Sequence, residues 1–287
     1  MRISDIYKEG RPVFSFEFFP PKTDKGAANL MATCADLKSA VEPDFVSVTF
    51  GAGGSTRDRT HAIVTGIQKE LGITAMAHQT CVASSRAEVQ ASVEGLIEAG
   101  IENVLALRGD IPQGDEFVPP ADGFRHATEL IEFLNANYDL SIGAAYYPES
   151  HVESTSDVED LEWTRMKAQM GAGFLISQLF FDTDHYFRFS ERAKEAGIDV
   201  PLVPGIMPIT NVAQIERFTK MCGATIPEAL LDRLRPVQDD PALVMATGIE
   251  HAITQCRELL AGGAPGLHFY TLNKSHATRS ILAALRH

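Results

Sequence analysis

Short apolar runs alternate along the chain with longer amphipathic segments, and this alternation predicts the fold. Eight runs have the length and composition of β-strands, at residues 13–18, 45–49, 74–78, 103–107, 141–145, 174–178, 200–204 and 266–270. Their starts are spaced by about 30 residues, enough for a strand and a crossover helix, until the last interval, which is about twice as long. Strict strand–helix alternation predicts parallel strands, and eight of them predict a closed α/β TIM (β/α)8 barrel. An open doubly wound sheet is the alternative.

The helical segments have recognisable ends. Amphipathic stretches such as 87–99 and 183–196 lie between strands, and several helices should stop at glycine, at Gly72, Gly100, Gly171 and Gly197. The long last interval predicts extra helices before the last strand, around 211–221 and 227–234. Residues 118–123, with two prolines, predict an exposed loop. With no linker or repeat visible, we expect residues 1–287 to form a single barrel domain.

Polar side chains stand at or just after the ends of these apolar strands. The set comprises Glu17, Thr49, His78, Arg108 with Asp110, Tyr147, Gln178, Gly205 and Tyr270. A lone threonine, glutamine or histidine at such a position is usually a hydrogen-bonding cap or a satisfied buried group. In a barrel, however, the active site lies at the C-terminal ends of the strands. Because seven of the eight ends carry polar or titratable groups, we interpret the set as one site.

Glu17 is the most unusual member of the set because it lies in an aromatic strand. Phe14, Phe16 and Phe18 should share one face of that strand, while Ser15 and Glu17 point to the other. Burial raises the pKa of a carboxyl, because the charged form loses its water. The pattern therefore predicts a carboxyl of raised pKa that acts as a general acid.

Composition limits the classes of function. The chain has 287 residues and a net charge of −13, a balance that argues against a nucleic-acid partner. Four widely separated cysteines indicate neither a disulfide framework nor a zinc ribbon. No signal core and no run of 18 apolar residues occur, so neither a membrane partner nor export is expected. Cytoplasmic localisation is the expectation.

Local motifs narrow the chemistry further. No strand end carries a His-x-His pair or a Schiff-base lysine, so neither a metal site nor a lysine-based aldolase is predicted. The glycine-rich stretch 51–56 matches neither a Walker loop nor a dinucleotide fingerprint. In Leu107-Arg-Gly-Asp110, Arg108 can clamp a pyrophosphate, Gly109 allows close backbone approach and Asp110 is an acceptor. A plain Arg–Asp surface pair is the alternative.

Taken together, these motifs resemble the catalytic barrel of the methylenetetrahydrofolate reductase family in its short bacterial form. The matching segments run in the same order over nearly the whole chain: Phe16-Glu-Phe-Phe-Pro-Pro21, Val46-Ser-Val-Thr49, Ala77-His78, Ala106-Leu-Arg-Gly-Asp110, Tyr147-Pro-Glu149, Gln178-Leu-Phe-Phe-Asp182, Pro204-Gly-Ile206 and His268-Phe-Tyr-Thr-Leu-Asn273. The resemblance implies a flavoprotein oxidoreductase of one-carbon metabolism and methionine biosynthesis. FAD would carry hydride from NADH or NADPH to methylenetetrahydrofolate in a ping-pong reaction.

The resemblance also implies roles for individual residues. Glu17 would protonate the folate N10, and Asp110 would assist catalysis and lie close to the flavin. The folate would be bound by Asp110, Gln178, Gln214, Phe218, Tyr270 and Lys274, and the nicotinamide by Phe50, Ala52, Gln178 and Phe218. The cofactor would be bound by Thr49, His78, Leu107, Arg108, Gly109, Asp110, His126, Ala127, Ala145, Tyr147, His151, Asp160 and Lys167. A homo-oligomer is expected.

The chain departs from the family pattern at four positions. Trp163 and Met166 stand where Asn and Arg occur, Lys274 replaces an arginine and Phe50 replaces a tyrosine. These changes bear on cofactor affinity and nicotinamide preference more than on the type of reaction. The alternative is a flavin-bearing, folate-reducing subunit of a larger complex that takes electrons from a partner protein. A non-enzymatic folate-binding module conflicts with the intact Glu17 and Arg108–Asp110 set.

Overall fold

In the computed structural model, which describes residues 1–50, 57–111 and 117–286, nine short parallel strands form one sheet. The strands are β1 (Val13–Phe18), β2 (Phe45–Val48), β3 (Ala75–Thr80), β4 (Asn103–Leu107), β5 (Ser141–Tyr146), β6 (Phe174–Ser177), β7 (Leu202–Val203), β8 (Gly205–Ile206) and β9 (Gly266–Tyr270). Their spatial order is β7-β6-β5-β4-β3-β2-β1-β9-β8. The first and last full strands are therefore neighbours, and the predicted barrel is confirmed.

The seventh strand predicted at 200–204 is two half-strands. Pro204 separates β7 from β8, because proline has no N–H to donate to a ladder. The half before it pairs with β6, and the half after it pairs with β9. The carbonyl of Pro204 still accepts a hydrogen bond from His268 N at 3.0 Å. The two halves together close the barrel at this position.

Helices surround the sheet and follow the strands in order. They are α1 (Ile3–Ile6), α2 (Asp24–Val41), α3 (Arg57–Leu71), α4 (Arg86–Glu98), α5 (Ala127–Asn137), α6 (Asp157–Met170), α7 (Thr183–Glu195), α8 (Val212–Cys222), α9 (Glu228–Leu234), α10 (Pro241–Ala261) and α11 (His276–Leu285). The extra helices predicted before the last strand are α8 and α9, followed by α10. The predicted glycine stops all have positive φ angles, and Val118 in the predicted loop is exposed. Within the described segments, no helix has both the length and the apolar character needed to cross a membrane.

Strand alternation divides the core into an outer and an inner part. Phe16 and Phe18 pack outward among the helices, as predicted, while Val13 points into the barrel. Inside, α1 closes the N-terminal end, because Ile3 and Ile6 pack there against apolar side chains of several strands. The opposite end carries the polar side chains. In the part of the chain that the structure describes, the N-terminal end of the barrel is therefore filled by an apolar layer, and the polar C-terminal end is where a ligand can bind.

Candidate active site

A cavity of about 620 Å³ lies at the C-terminal end of the barrel, where the sequence predicts a site. Every polar strand-end residue of the predicted set lines it: Glu17, Thr49, His78, Arg108, Asp110, Tyr147, Gln178 and Tyr270. Gly205 is not among the lining residues. The fold therefore brings together the strand ends that the sequence predicts. The volume of the cavity lies within the range of about 300–1,000 Å³ common for ligand sites.

Two histidines flank the carboxylate of Glu17. Its Oε2 lies 3.3 Å from Nε2 of His78 on β3 and 3.4 Å from Nε2 of His268 on β9. On the far side of His268, Nδ1 shares a hydrogen bond of 2.8 Å with Ser15 Oγ. Ser15 and Glu17 reach the same interior because they are two residues apart on β1, and Ser15 is in register with His268. The result is a row of Ser15, His268, Glu17 and His78, in which Glu17 is half-buried and the other three are buried.

The histidines reverse the expected shift in the pKa of Glu17. Burial is the largest single influence and raises the pKa of this carboxyl, as the sequence suggested. The charges and hydrogen bonds of His78 and His268 act in the opposite direction and together outweigh burial, so the pKa is lowered to about 2. The prediction of a raised pKa was therefore wrong for the ligand-free chain. The strand pattern reveals burial, but it does not reveal which residues lie across the barrel.

The backbone around Glu17 is held by the loop that follows β9. Thr271 donates to the Glu17 carbonyl from both its N (3.3 Å) and its Oγ1 (2.7 Å). The side-chain amide of Asn273 accepts from Phe19 N at 3.0 Å and donates to Phe19 O at 2.8 Å, as a neighbouring strand would. Leu272 and Asn273 both have left-handed backbone, with φ of 50° and 59°. These bonds hold a backbone conformation that few side chains adopt, and they fix the first strand against the last.

Tyr270 and Gln178 form the wall beside Glu17. The Tyr270 hydroxyl donates to Ser177 O at 2.5 Å, and burial raises the pKa of this phenol well above its ordinary value. Gln178 directs its Oε1 to its own neighbour, accepting from Leu179 N at 2.8 Å, and its side chain lines the cavity. A side chain at Gly205 would collide with Ser177 O, since a Cβ there would lie 2.4 Å from that atom.

The turn after β4 brings Arg108 and Asp110 to the cavity. Gly109 between them has φ of +87°, and a Cβ on it would lie 2.9 Å from Cβ of Thr80. Only glycine fits this close approach without strain. The Arg108 guanidinium binds the carboxylate of Glu153 with both terminal nitrogens, at 2.5 and 2.8 Å. Glu153 was not among the predicted site residues.

The β5–α6 segment supplies a second group of polar side chains. Asp160 Oδ1 accepts from His151 N at 3.2 Å and from Ser154 Oγ at 3.1 Å, while its Oδ2 is buried without a hydrogen-bond partner in the described part of the chain. Lys167 donates to Ala145 O at 2.8 Å, and burial lowers the pKa of its amine to about 8. The ring of His151 meets Tyr147 edge-on at 4.6 Å.

An aromatic pair covers one wall of the cavity. His126 at the start of α5 stacks on Trp163 of α6, with ring centroids 4.9 Å apart and planes 23° from parallel. Both side chains line the cavity, as does Ala127. Trp163 therefore packs against a predicted cofactor residue.

The predicted residues fall into two groups. All thirteen residues predicted to bind the cofactor line this cavity, and Phe50 lines it as well. Gln214 and Phe218 instead line a separate shallow groove beside Leu272, and Lys274 lies beyond Thr271 in the loop after β9. Ala52 and the glycine-rich stretch 51–56 lie outside the described residues. For all of these residues, the functional role stays a prediction.

Sequence reasoning missed His268 as well as Glu153. Alternation along β9 could have placed His268 on the same face as Tyr270, but only closure of the barrel brings it beside Glu17. Glu153 lies in a loop that has no periodic pattern to read.

Within the described residues, an open barrel end with a large cavity and a carboxylate held between two histidines is typical of TIM-barrel enzymes. The model of the family described as methylenetetrahydrofolate reductase matches residues 2–286. The chain belongs to the methylenetetrahydrofolate reductase family.

Individual relatives agree with this assignment. The chain is 38% identical, over 99% of its length, to a probable methylenetetrahydrofolate reductase (NADH) of Oryza sativa, and 35% identical, over 96%, to the 5,10-methylenetetrahydrofolate reductase of Escherichia coli. It spans about half (50%) of the rice protein and 92% of the bacterial one. Among solved structures, a Clostridium thermocellum protein described as binding two copies of 5-methyl-5,6,7,8-tetrahydrofolic acid shares the fold. Its TM-score is 0.67 at 15% identity, with 98% of this chain and 96% of that chain covered.

Proposed function

We propose that the chain reduces 5,10-methylenetetrahydrofolate to 5-methyltetrahydrofolate with NADH or NADPH as reductant and FAD as cofactor. The observation that carries this proposal is the placement of Glu17 between His78 and His268 on the floor of a cavity walled by Asp110 and Gln178. Membership of the reductase family supports the reaction type. The catalytic unit proposed is one barrel domain over residues 1–287.

The cavity has the residues that a flavin dinucleotide needs. Asp160 Oδ2 is buried at its wall and has no hydrogen-bond partner in the described part of the chain, so a ligand hydroxyl can satisfy it. Arg108 and Lys167 supply positive charge for phosphates. Gly109 leaves room that any side chain would fill. When bound, FAD would supply hydride transfer between the nicotinamide and the folate carbon.

Proton delivery is the role proposed for Glu17. Its lowered pKa leaves the carboxylate ionised at neutral pH in the ligand-free chain, so the proton for the folate N10 must come through a neighbour. His268 and His78 each hold an Nε2 within 3.4 Å of Glu17 Oε2. Binding of the folate would exclude water from this row of side chains, which would favour proton transfer along the row. Ser15 fixes the orientation of His268 through Nδ1.

The roles proposed for Asp110 and Gln178 are to bind the pterin ring. Asp110 offers an acceptor at the rim, and Gln178 offers its side-chain amide. Gln178, which lines this cavity, is proposed to contact both the folate and the nicotinamide, so the two substrates would use the same place. We therefore propose that nicotinamide and folate enter in turn, which is a ping-pong order.

A spectroscopic titration tests the cofactor and the substrates together. The purified protein, supplied with FAD, should become yellow, bleach anaerobically with NADH or NADPH, and regain colour when methylenetetrahydrofolate is added. A folded protein that does not bind FAD would overturn the flavin assignment. Bleaching by either nicotinamide with the isolated chain also decides against the alternative of a subunit that needs a partner to reduce it.

The variant Glu17→Gln tests the proton role. We expect reduction by the nicotinamide to be preserved and folate turnover to fall by about 10²- to 10⁴-fold, the usual effect of removing a general acid or base. Glu98→Gln, at an exposed position on α4, is the matched control. Equal loss in both half-reactions would refute the acid role.

Three further assignments belong to this proposal. We expect a homo-oligomer, which light scattering after size-exclusion chromatography measures directly. The four cysteines are free thiols, which suits a reducing cytoplasm, the proposed location. Nicotinamide preference follows from the titration above, carried out with each reductant.

A further inference from the structure

The two ends of the Arg108 guanidinium are already occupied. Nη1 donates to Glu153 Oε2 at 2.5 Å and Nη2 to Glu153 Oε1 at 2.8 Å, a two-pronged contact. Its remaining Nε donates to Gly109 O at 3.3 Å. Arginine binds phosphate through this same fork. The group best suited to bind a diphosphate at this cavity therefore holds a carboxylate in the ligand-free chain.

Glu153 is held in place by its own loop. Its backbone N donates to His151 Nδ1 at 3.1 Å, and the loop is tied to the buried Asp160 through His151 N and Ser154 Oγ. The side chain of Glu153 is 52% exposed and that of Arg108 is 25% exposed. The carboxylate can thus turn out to solvent while its backbone stays anchored.

The ion pair has no net charge, but each of its two side chains stays charged. The hydrogen bonds that Arg108 donates to Glu153 lower the pKa of the Glu153 carboxyl and raise the pKa of Arg108. A diphosphate that approaches Arg108 also approaches the negatively charged carboxylate of Glu153. Two negative charges a few ångströms apart repel each other. Binding of the diphosphate must therefore either break the ion pair or place the phosphates next to the Glu153 carboxylate.

We propose that Glu153 competes with the cofactor's diphosphate for Arg108 and thereby sets the affinity of the barrel for the flavin. This inference rests on the proposed function, because it takes FAD as the ligand. The ion pair stabilises the folded barrel, and the same pair lowers the affinity for the phosphate-bearing part of the cofactor. Glu153 makes this contribution through Arg108 and has no role toward the flavin ring.

The variant Glu153→Gln separates these two effects, with dissociation constants measured by flavin fluorescence for FAD and for riboflavin, which has no phosphate. We expect FAD to bind about 2- to 30-fold more tightly to the variant, the range for a partly exposed charge pair. Riboflavin affinity should stay unchanged. The flavin-free variant should unfold at a lower temperature than the wild type, because Arg108 loses its partner. Tighter FAD binding combined with lower stability is a result that general loosening of the loop does not produce.

Glu159→Gln is the matched control, because Glu159 lines the same cavity but binds Thr155 in place of Arg108. It removes the same charge, and FAD affinity should change much less. In the double variant Arg108→Gln/Glu153→Gln, the gain from removing the carboxylate should disappear. Glu153→Ala provides a second measurement if the amide refolds poorly.

The outcomes are distinguishable. Unchanged or weaker FAD binding in Glu153→Gln would overturn the competitor role, and weaker binding would identify Glu153 as a residue that orients Arg108 for the phosphate. A gain shared equally by riboflavin would also overturn it. A wild-type protein that binds neither flavin would overturn the proposed cofactor, and this inference with it.

Discussion

Nε2 of His268 lies 3.4 Å from Oε2 of Glu17, and the two residues are separated by almost the whole length of the chain. The contact forms because β1 and β9 pair in parallel, with Ser15 opposite His268 and Glu17 opposite Tyr270. His268 and His78 together hold the carboxyl in its ionised form against the effect of burial. The proposed acid is therefore controlled by groups from the third and the last strand.

Replacing His268 by glutamine should raise the pKa of Glu17, because burial would then be opposed by His78 alone. Infrared spectroscopy of the protonated carboxyl, assigned with Glu17→Gln, measures this shift. The protonated band should persist to higher pH in His268→Gln than in the wild type. His185→Gln is the control, since His185 lies 3.4 Å from a different carboxylate, Glu149. If the protonated band disappeared at the same pH in both proteins, His268 would have no effect on the pKa of Glu17.

The low pKa of Glu17 also predicts a dependence of stability on pH. Its folded pKa of about 2 lies below the ordinary 4.5, so the folded state favours the ionised form. This contribution is complete above about pH 4.5 and is lost as the pH falls through about 2, and it amounts to at most about 3 kcal/mol. Urea unfolding of the wild type and Glu17→Gln across this window measures it. The difference between their free energies of unfolding should shrink as the pH falls, and a constant difference would contradict the assignment.

Gly109→Ala should disturb the Arg108–Asp110 turn. The new Cβ meets Thr80 Cβ at 2.9 Å, and the residue must keep φ of +87°. We expect a loss of about 1–3 kcal/mol in the free energy of unfolding and weaker FAD binding. Gly197→Ala is the matched control, because Gly197 has φ of +73° and open space around it. That control isolates the cost of the backbone alone, so equal losses in both variants would show that the contact with Thr80 is harmless.

Lys167 predicts a second rise of stability with pH, in the alkaline range. Burial lowers the pKa of its amine from 10.5 to about 8, so folding disfavours the charged form. The contribution of Lys167 to the free energy of unfolding should therefore rise with pH between about 8 and 10.5, by at most about 3 kcal/mol. Comparison with Lys167→Met isolates this rise from the titration of other groups. Lys194→Met, at an exposed position on α7, should leave the slope as it is in the wild type.

Periodicity made most of the fold predictable. The strand at 13–18 was predicted with its exact bounds, and α8 and α9 were found near their predicted positions. The strand at 200–204 was predicted whole, because an apolar run does not reveal that Pro204 divides the ladder between two neighbours. The local sequence pattern determines where a strand begins and ends, while pairing across the barrel determines which neighbouring strands it is hydrogen-bonded to.

The sequence predicts which residues lie at the rim of the site, but it does not predict the contacts between them. Strand ends gave Glu17, Asp110 and Gln178, because position along a parallel strand fixes which end of the barrel a residue reaches. The pKa of Glu17 was predicted in the wrong direction, since the charges that lower it come from β3 and β9. Glu153 escaped prediction because its contact with Arg108 depends on a loop conformation, with Ser150 at φ of 67° and His151 as a hydrogen-bond acceptor.

The seam between β1 and β9 has a consequence for how the protein is made. The residues proposed to hold the cofactor lie between Thr49 and Lys167, whereas Glu17 precedes all of them in the chain and its partner His268 follows all of them. A chain still on the ribosome can therefore expose the strands proposed to hold the cofactor long before it can complete the proton row. Thr271 and Asn273, which bind Glu17 and Phe19, leave the ribosome after His268. The proposed proton row is thus complete only once residue 268 has been made, and a product truncated before that residue would lack it.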